Sequence, residues 1–148
     1  MKRFSILLGL ALATLTLLAA GTPTQADERP FRANWSGGLY YDGYSGGYLF
    51  ANGQATHLGA ASFSGGLGSL DNSQIIYITG DFRAANGDRL FATSAVDFDV
   101  DTGIAIGTLT FTGGTGRFED AAGSADVIFV LDPDLQSFYF LIDGSVDY

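Results

Sequence analysis

A chain of 148 residues without cysteine, in which 16 acidic residues outnumber seven basic ones, excludes disulfide-stapled scaffolds and thiolate metal sites. Its net charge of −9 and pI near 4.1 make nucleic acid and anionic membrane surfaces unfavourable partners, because like charges repel. At this length we expect one domain that buries its own core.

The first 26 residues have the organisation of a secretory leader. A basic Met-Lys-Arg start precedes an uncharged run rich in Leu and Ala, which is shorter than the about 20 residues of a membrane-spanning helix. Thr24 and Ala26 supply small residues for cleavage, with Ala20 as an alternative, so we predict a signal peptide over 1–26 and one domain over 27–148. The protein is then secreted or periplasmic. Loss of the two basic leader residues takes its net charge from −9 to −11.

The rest of the chain has the pattern of short β-strands. Runs rich in Val, Ile, Phe, Tyr and Thr alternate with Gly, Asn and Asp, and no window shows the spacing of an amphipathic helix. We predict eight strands, at 34–41, 46–51, 54–64, 74–83, 89–100, 104–112, 123–131 and 137–147.

Turn residues separate these strands. Hairpin-forming pairs with a glycine in the second position stand at Asp42-Gly43, Asn52-Gly53, Asn86-Gly87 and Thr102-Gly103, and Asp132-Pro133-Asp134 suits a type I turn. Short connections between consecutive strands give an up-and-down meander, which at eight strands can close and remove its edges. We therefore predict an all-β protein with an eight-stranded antiparallel, calycin-like barrel.

A glycine-rich stretch follows the sixth strand. It lacks the Lys of a P-loop, and Glu119 stands where a dinucleotide fingerprint needs its third glycine. We interpret it as a structural motif that turns the backbone between two strands and places an aromatic ring in the core. Its residues are Gly113, Gly114, Gly116 and Phe118.

This stretch also carries a family resemblance. A strand followed by Gly-Gly-Thr-Gly-Arg-Phe at 113–118, an Ala-rich step and Gly-Ser at 123–124 resembles the signature of the allene oxide cyclase and dirigent barrel superfamily, including bacterial secreted members. The segments 55–59 and 85–90 are similar to elements of those bacterial proteins, and the resemblance spans roughly 50–145. It implies a calycin-like barrel, and the superfamily's catalytic or radical-guiding residues do not map onto matching positions.

Three side chains are candidates for assisting a reaction. His57 is the one histidine, the residue type that most often serves as a general acid or base, but no carboxylate is near it in sequence, so a structural histidine on a strand is the preferred interpretation. Tyr77 and Arg117 complete the set. No nucleophile triad can be assembled, and we expect no cofactor.

Three aspartates are candidates for a cation site. Asp97, Asp99 and Asp101 alternate just before a turn, where calcium would relieve their repulsion. The spacing differs from that of an EF-hand, because Thr108 stands at the position of the bidentate Glu. A solvated strand face is therefore the preferred interpretation, with no metal expected.

The last strand offers candidates for a ligand site. If Phe138, Phe140 and Ile142 point inward, they either line an apolar cavity or fill it. We expect a small apolar ligand or a structural role ahead of catalysis. A cyclase-type or isomerase-type enzyme and a small outer-membrane barrel are the alternatives, the latter because the final strand alternates up to a terminal aromatic. Self-association is compatible with all of them.

Overall fold

In the computed structural model, eight antiparallel strands form one closed barrel. The structure describes residues 27–41, 46–68, 74–132, 134 and 136–148. The strands are β1 Arg29–Tyr41, β2 Gly47–Ala55, β3 Gly59–Leu67, β4 Ile75–Ala84, β5 Arg89–Asp99, β6 Ile104–Gly114, β7 Ala122–Asp132 and β8 Ser137–Asp147. Each strand pairs with the next, and β8 pairs with β1. The predicted barrel is confirmed, while the predicted leader and the Asp42-Gly43 turn lie outside the described residues.

Alternation of apolar and polar residues sets the two faces of each strand. In β5, Leu90, Ala92 and Val96 point into the barrel and are buried, whereas Thr93 and Asp97 point outward and are exposed. The period of two follows from the pleat of the strand. The interior of the barrel is therefore the hydrophobic core.

A column of aromatic rings runs along the barrel interior. Its neighbouring ring centroids are 4.8 to 6.2 Å apart, in the order Phe111, Phe31, Phe82, Phe63, Phe140, Phe129 and Phe138. Glycines on the wall make room for these rings. A Cβ on Gly80 would lie 2.9 Å from the Phe63 ring and 2.4 Å from the carbonyl oxygen of Ser64.

The β2–β3 connection departs from the predicted one. Asn52 and Gly53 lie inside β2 and pair with β1, so the hairpin predicted there is wrong. Gly53 is needed for a close approach instead, because a Cβ there would lie 2.0 Å from a carbonyl oxygen of β1. The turn comes later, at His57 and Gly59, whose φ angles are 69° and 67°. The predicted turns at Gly87 and Gly103 are present, with φ angles of 92° and 71°.

The connections alternate between two ends of the barrel. The β2–β3, β4–β5 and β6–β7 connections lie at one end, here called the motif end, with the start of β1 and the end of β8. The opposite ends of the strands lie at the other end of the barrel, here called the pocket end. Apart from the strands, the structure describes a single-turn 3-10 helix, Gly116–Phe118, at the motif end. No helix among the described residues is long and apolar enough to span a membrane.

Candidate functional site

The glycine motif closes the motif end of the barrel. The β5–β6 register shifts between Leu90 and Ala92, and this bulge coincides with a φ of 112° at Gly113. Gly116, with φ 59°, then starts the 3-10 turn that brings Phe118 into the core, where the ring is fully buried. The glycines thus let the backbone double back and insert an aromatic plug.

Arg117 ties the plug to the neighbouring connections. Its guanidinium carbon lies 4.8 Å from the centroid of the Phe118 ring, and its Nη2 donates a hydrogen bond to the carbonyl oxygen of His57. Its Nε lies 3.8 Å from Oδ2 of Asp88. Three connections of the motif end therefore meet at this one side chain, which gives Arg117 a role in packing.

The catalytic candidates do not form one arrangement. His57 is exposed in the β2–β3 turn and not on a strand, so the predicted strand position is wrong: β2 continues through Gly53 and ends at Ala55. Its Nε2 lies 3.1 Å from the carbonyl oxygen of Pro30. Tyr77 is exposed on the outer wall of β4, whereas His57 and Arg117 share the motif end.

The aspartates of the β5–β6 region stabilise a turn. Asp97 and Asp99 lie on the outer face of β5, and Asp101 lies in the turn that follows. Oδ1 of Asp99 accepts hydrogen bonds from the backbone N–H groups of Asp101, at 2.9 Å, and Thr102, at 3.4 Å. Hydrogen bonding lowers the pKa of Asp99 below its usual 3.8, with the Asp101 backbone bond contributing most and the Thr102 side chain next. The described residues contain no group of three acidic, His or Cys side chains placed to hold a metal ion.

An apolar pocket of about 220 Å³ lies at the pocket end, inside the barrel. Eleven apolar side chains and the backbone of Gly68 form its lining. These side chains are Leu39, Leu49, Leu67, Ile76, Ile78, Val96, Phe98, Ala105, Phe129, Leu131 and Phe138. Every strand contributes at least one of them, so the pocket is coaxial with the barrel.

Of the three ligand-binding candidates on β8, one lines this pocket. Phe138 forms part of its lining, beside Phe129. Phe140 lies one layer deeper and is buried, with its ring stacked 6.0 Å from Trp35 and tilted 4.8 Å from Phe129. Ile142 lies deeper still. All three side chains point into the barrel, but aromatic rings fill the barrel at the two deeper layers.

The remaining pocket residues are missing from the sequence-based prediction. Each is an inward-facing residue at or near the pocket end of its strand, such as Leu39 in β1 or Phe98 in β5. The signal that locates them is the combination of period two with the meander, because alternate connections share one end. Residue type gives no further clue, since Leu and Ile fill cores and line pockets equally well.

One comparison with known proteins supports the fold. No protein-family model matches the chain, and no curated protein matches it in sequence. Among solved structures, that of a pterocarpan synthase dirigent protein is similar, with a TM-score of 0.60, 13% sequence identity, and coverage of 93% of this chain and 99% of that one. Identity this low shows the fold alone. The protein is therefore a small β-barrel with the architecture of a dirigent protein.

Proposed function

We propose that this barrel binds a small, uncharged apolar molecule in the apolar pocket and does not transform it. The observation that carries the proposal is the lining itself, in which eleven apolar side chains surround about 220 Å³. Removing apolar ligand surface from water contributes roughly 25 cal/mol per Å², and no polar group of the lining has to be desolvated without a partner.

The size of the pocket restricts the ligand. Pockets for drug-sized molecules measure about 300–1,000 Å³, and a dry cavity of about 150 Å³ binds benzene. A ligand with one or two fused rings, or a short aliphatic chain, suits the space between those limits. The excess of acidic over basic residues, 16 against seven, disfavours anions. With no polar anchor, we expect dissociation constants of about micromolar to millimolar.

The alternatives fit the described residues less well. Catalysis of the cyclase or isomerase kind needs a polar group beside the ligand, and the described lining offers apolar side chains only. An outer-membrane barrel carries an apolar band outward and polar groups inward, whereas this barrel has an apolar interior and Asn34, Asn52 and Gln54 exposed on its wall. If the leader over 1–26 is cleaved as predicted, binding takes place in the periplasm or outside the cell.

The test is fluorescence titration of the mature chain with 1-aminonaphthalene, a neutral two-ring dye whose emission depends on the polarity of its surroundings, with naphthalene as competitor. We expect saturable binding of the dye and its displacement by naphthalene. We also expect loss of binding in Ala105→Phe, because the phenyl ring of that variant would occupy the pocket. Ala95→Phe is the matched control, because it adds the same ring on the exposed outer face of β5. Thermal melts verify that both variants fold. Absence of saturable binding in the parent, or unchanged affinity in a folded Ala105→Phe variant, contradicts the proposal and favours a structural role.

A further inference from the structure

A second surface with binding chemistry lies on the outer wall of β1–β3, independently of the pocket. It comprises the outward side chains of residues 34–40, 48–54 and 60–66, here called the aromatic-amide face. Tyr40, Tyr48 and Phe50 are 65%, 60% and 58% exposed. Tyr40 is directly opposite Tyr48 in the β1–β2 pair, and Phe50 follows Tyr48 by two residues on the same strand. Their Cβ atoms are thus about 5–7 Å apart, within the span of a small ligand.

Glycines leave the aromatic rings accessible. Gly38 is paired with Phe50, and Gly66 is paired with Tyr48. A glycine beside a ring covers none of it, so each of these two rings has one uncovered flank. The exposed rings keep apolar surface in contact with water. A flat apolar ligand surface that stacks on them would remove that surface from water.

The aromatic-amide face carries no charge, although the chain has a net charge of −9. Its polar positions are the amides Asn34, Asn52 and Gln54, together with serines, and charged side chains begin only at its margins, with Arg32 before Asn34 on β1 and Asp81 on β4. Acidic side chains lie on other parts of the outer wall, for example Asp97 on β5 and Asp126 on β7.

The three amides are free to bind a ligand. None of them is hydrogen-bonded to another described residue through its side chain, and all three are exposed. Two depressions of the outer wall pass beside them. One, of about 700 Å³, includes Asn34 and Gln54 and reaches Arg32, Asp126 and Asp143 at its margin, and the other, of about 500 Å³, includes Asn52 and Ser62 and reaches Arg83. Amide donors and acceptors thus line two shallow concavities in the motif-end half of the face, and the exposed rings lie toward the pocket end, where Phe50 precedes Asn52 by two residues on β2.

We propose that the aromatic-amide face binds a neutral polysaccharide. A pyranose ring has a C–H face that stacks on aromatic rings and equatorial hydroxyl groups that both donate and accept hydrogen bonds, and side-chain amides match such groups in both roles. An uncharged ligand suits an uncharged face in an otherwise acidic protein. A second copy of the chain is the competing occupant, but a protein interface of standard size needs about 800 Å² per partner and an apolar centre, whereas amides, serines and glycines hold most positions here.

The experiment measures adsorption of the mature chain to microcrystalline cellulose and chitin, and its retardation in native gels that contain hydroxyethylcellulose. We expect binding to at least one of these polymers that persists in about 0.5 M NaCl, because the outward side chains of the aromatic-amide face carry no charge. Phe50→Ala and Tyr48→Ala should each weaken it by about fivefold or more. Ile106→Ala is the matched control: Ile106 is 58% exposed, as Phe50 is, but lies on β6.

Three outcomes would overturn the proposal. The first is no adsorption to any of the three polymers. The second is adsorption that is abolished by salt or is unchanged in Phe50→Ala and Tyr48→Ala. The third is a shift in size-exclusion chromatography from an oligomer to a monomer in these variants, which would assign the face to contact between copies of the chain. All substituted positions are exposed, so circular dichroism should show an intact fold.

Discussion

The two ends of this barrel are built from the same strands and differ in what fills them. At the motif end, Phe31, Phe82 and Phe118 are fully buried, and a dedicated turn inserts the last of these rings. At the pocket end, leucine, isoleucine and alanine replace the rings along most of the wall, and about 220 Å³ stays empty. An eight-stranded barrel is just wide enough to be filled or to hold one small molecule. This barrel is filled with aromatic rings at the motif end and leaves room for a small molecule at the pocket end.

The comparison separates stability from binding. Rings in contact at the motif end gain dispersion and burial energy without a ligand. Residues around the pocket lack partner atoms on one side. A ligand bound there would therefore gain dispersion and burial energy that the empty pocket does not provide. We therefore expect substitutions at the motif end to lower the free energy of unfolding more than comparable substitutions at the pocket end.

The largest effect is expected for Phe118→Ala. Removing a fully buried ring leaves a cavity and should lower the free energy of unfolding by about 3–5 kcal/mol, and Tyr148, 4.8 Å away between ring centroids, then also loses one of its ring contacts. Phe138→Ala at the pocket end should cost less, since that ring already borders empty space. Urea denaturation of the two variants measures the difference. An equal or larger loss for Phe138→Ala would show that the two ends do not differ in packing.

The fold was predictable because its signals are local. Period-two alternation and glycine turns such as Asn86-Gly87 and Thr102-Gly103 act over a few residues, and a meander follows from short connections. The turn predicted at Asn52-Gly53 is wrong because a glycine can also serve close packing inside a strand. Gly53 lets two barrel strands approach closely, and that requirement depends on the neighbouring strand, which local sequence does not contain.

The candidate pocket was predictable only in part. Alternation correctly places Phe138, Phe140 and Ile142 inside the barrel. Which layer stays empty depends on ring sizes summed over eight strands, and the sequence of one strand does not determine that sum. The plug depends on Gly116 and Phe118 acting together across the barrel end, so its motif indicates a turn but not the cavity it fills.

A smaller effect is expected for Gly116→Ala at the motif end. Its φ of 59° is strained for any L-residue, and a Cβ would lie 2.1 Å from Oδ1 of Asp88. We expect a loss of about 1–3 kcal/mol. Gly87→Ala is the matched control, because Gly87 also has a positive φ but a Cβ there meets nothing within 4 Å. Chemical denaturation should show the greater loss for Gly116→Ala. Equal losses would mean that backbone strain alone matters and that the Asp88 contact relaxes without cost.

The smallest effect concerns the β5–β6 turn at the pocket end, where Asp99 holds the backbone N–H groups of Asp101 and Thr102. The pKa of Asp99 is lowered in the folded protein, so its carboxylate contributes stability that is present above its unfolded pKa and is lost as pH falls through the folded value. Asp99→Asn retains an oxygen acceptor but cannot titrate. We expect the parent to melt slightly above this variant near neutral pH, and the difference to shrink as pH falls below about 3.8 and on through the lower pKa of the folded state. The other carboxylates are common to both proteins, so their acid titration cancels in the comparison of melting temperatures. A difference that stays constant from neutral pH down to about pH 3 would show that the Asp99 charge does not stabilise the turn.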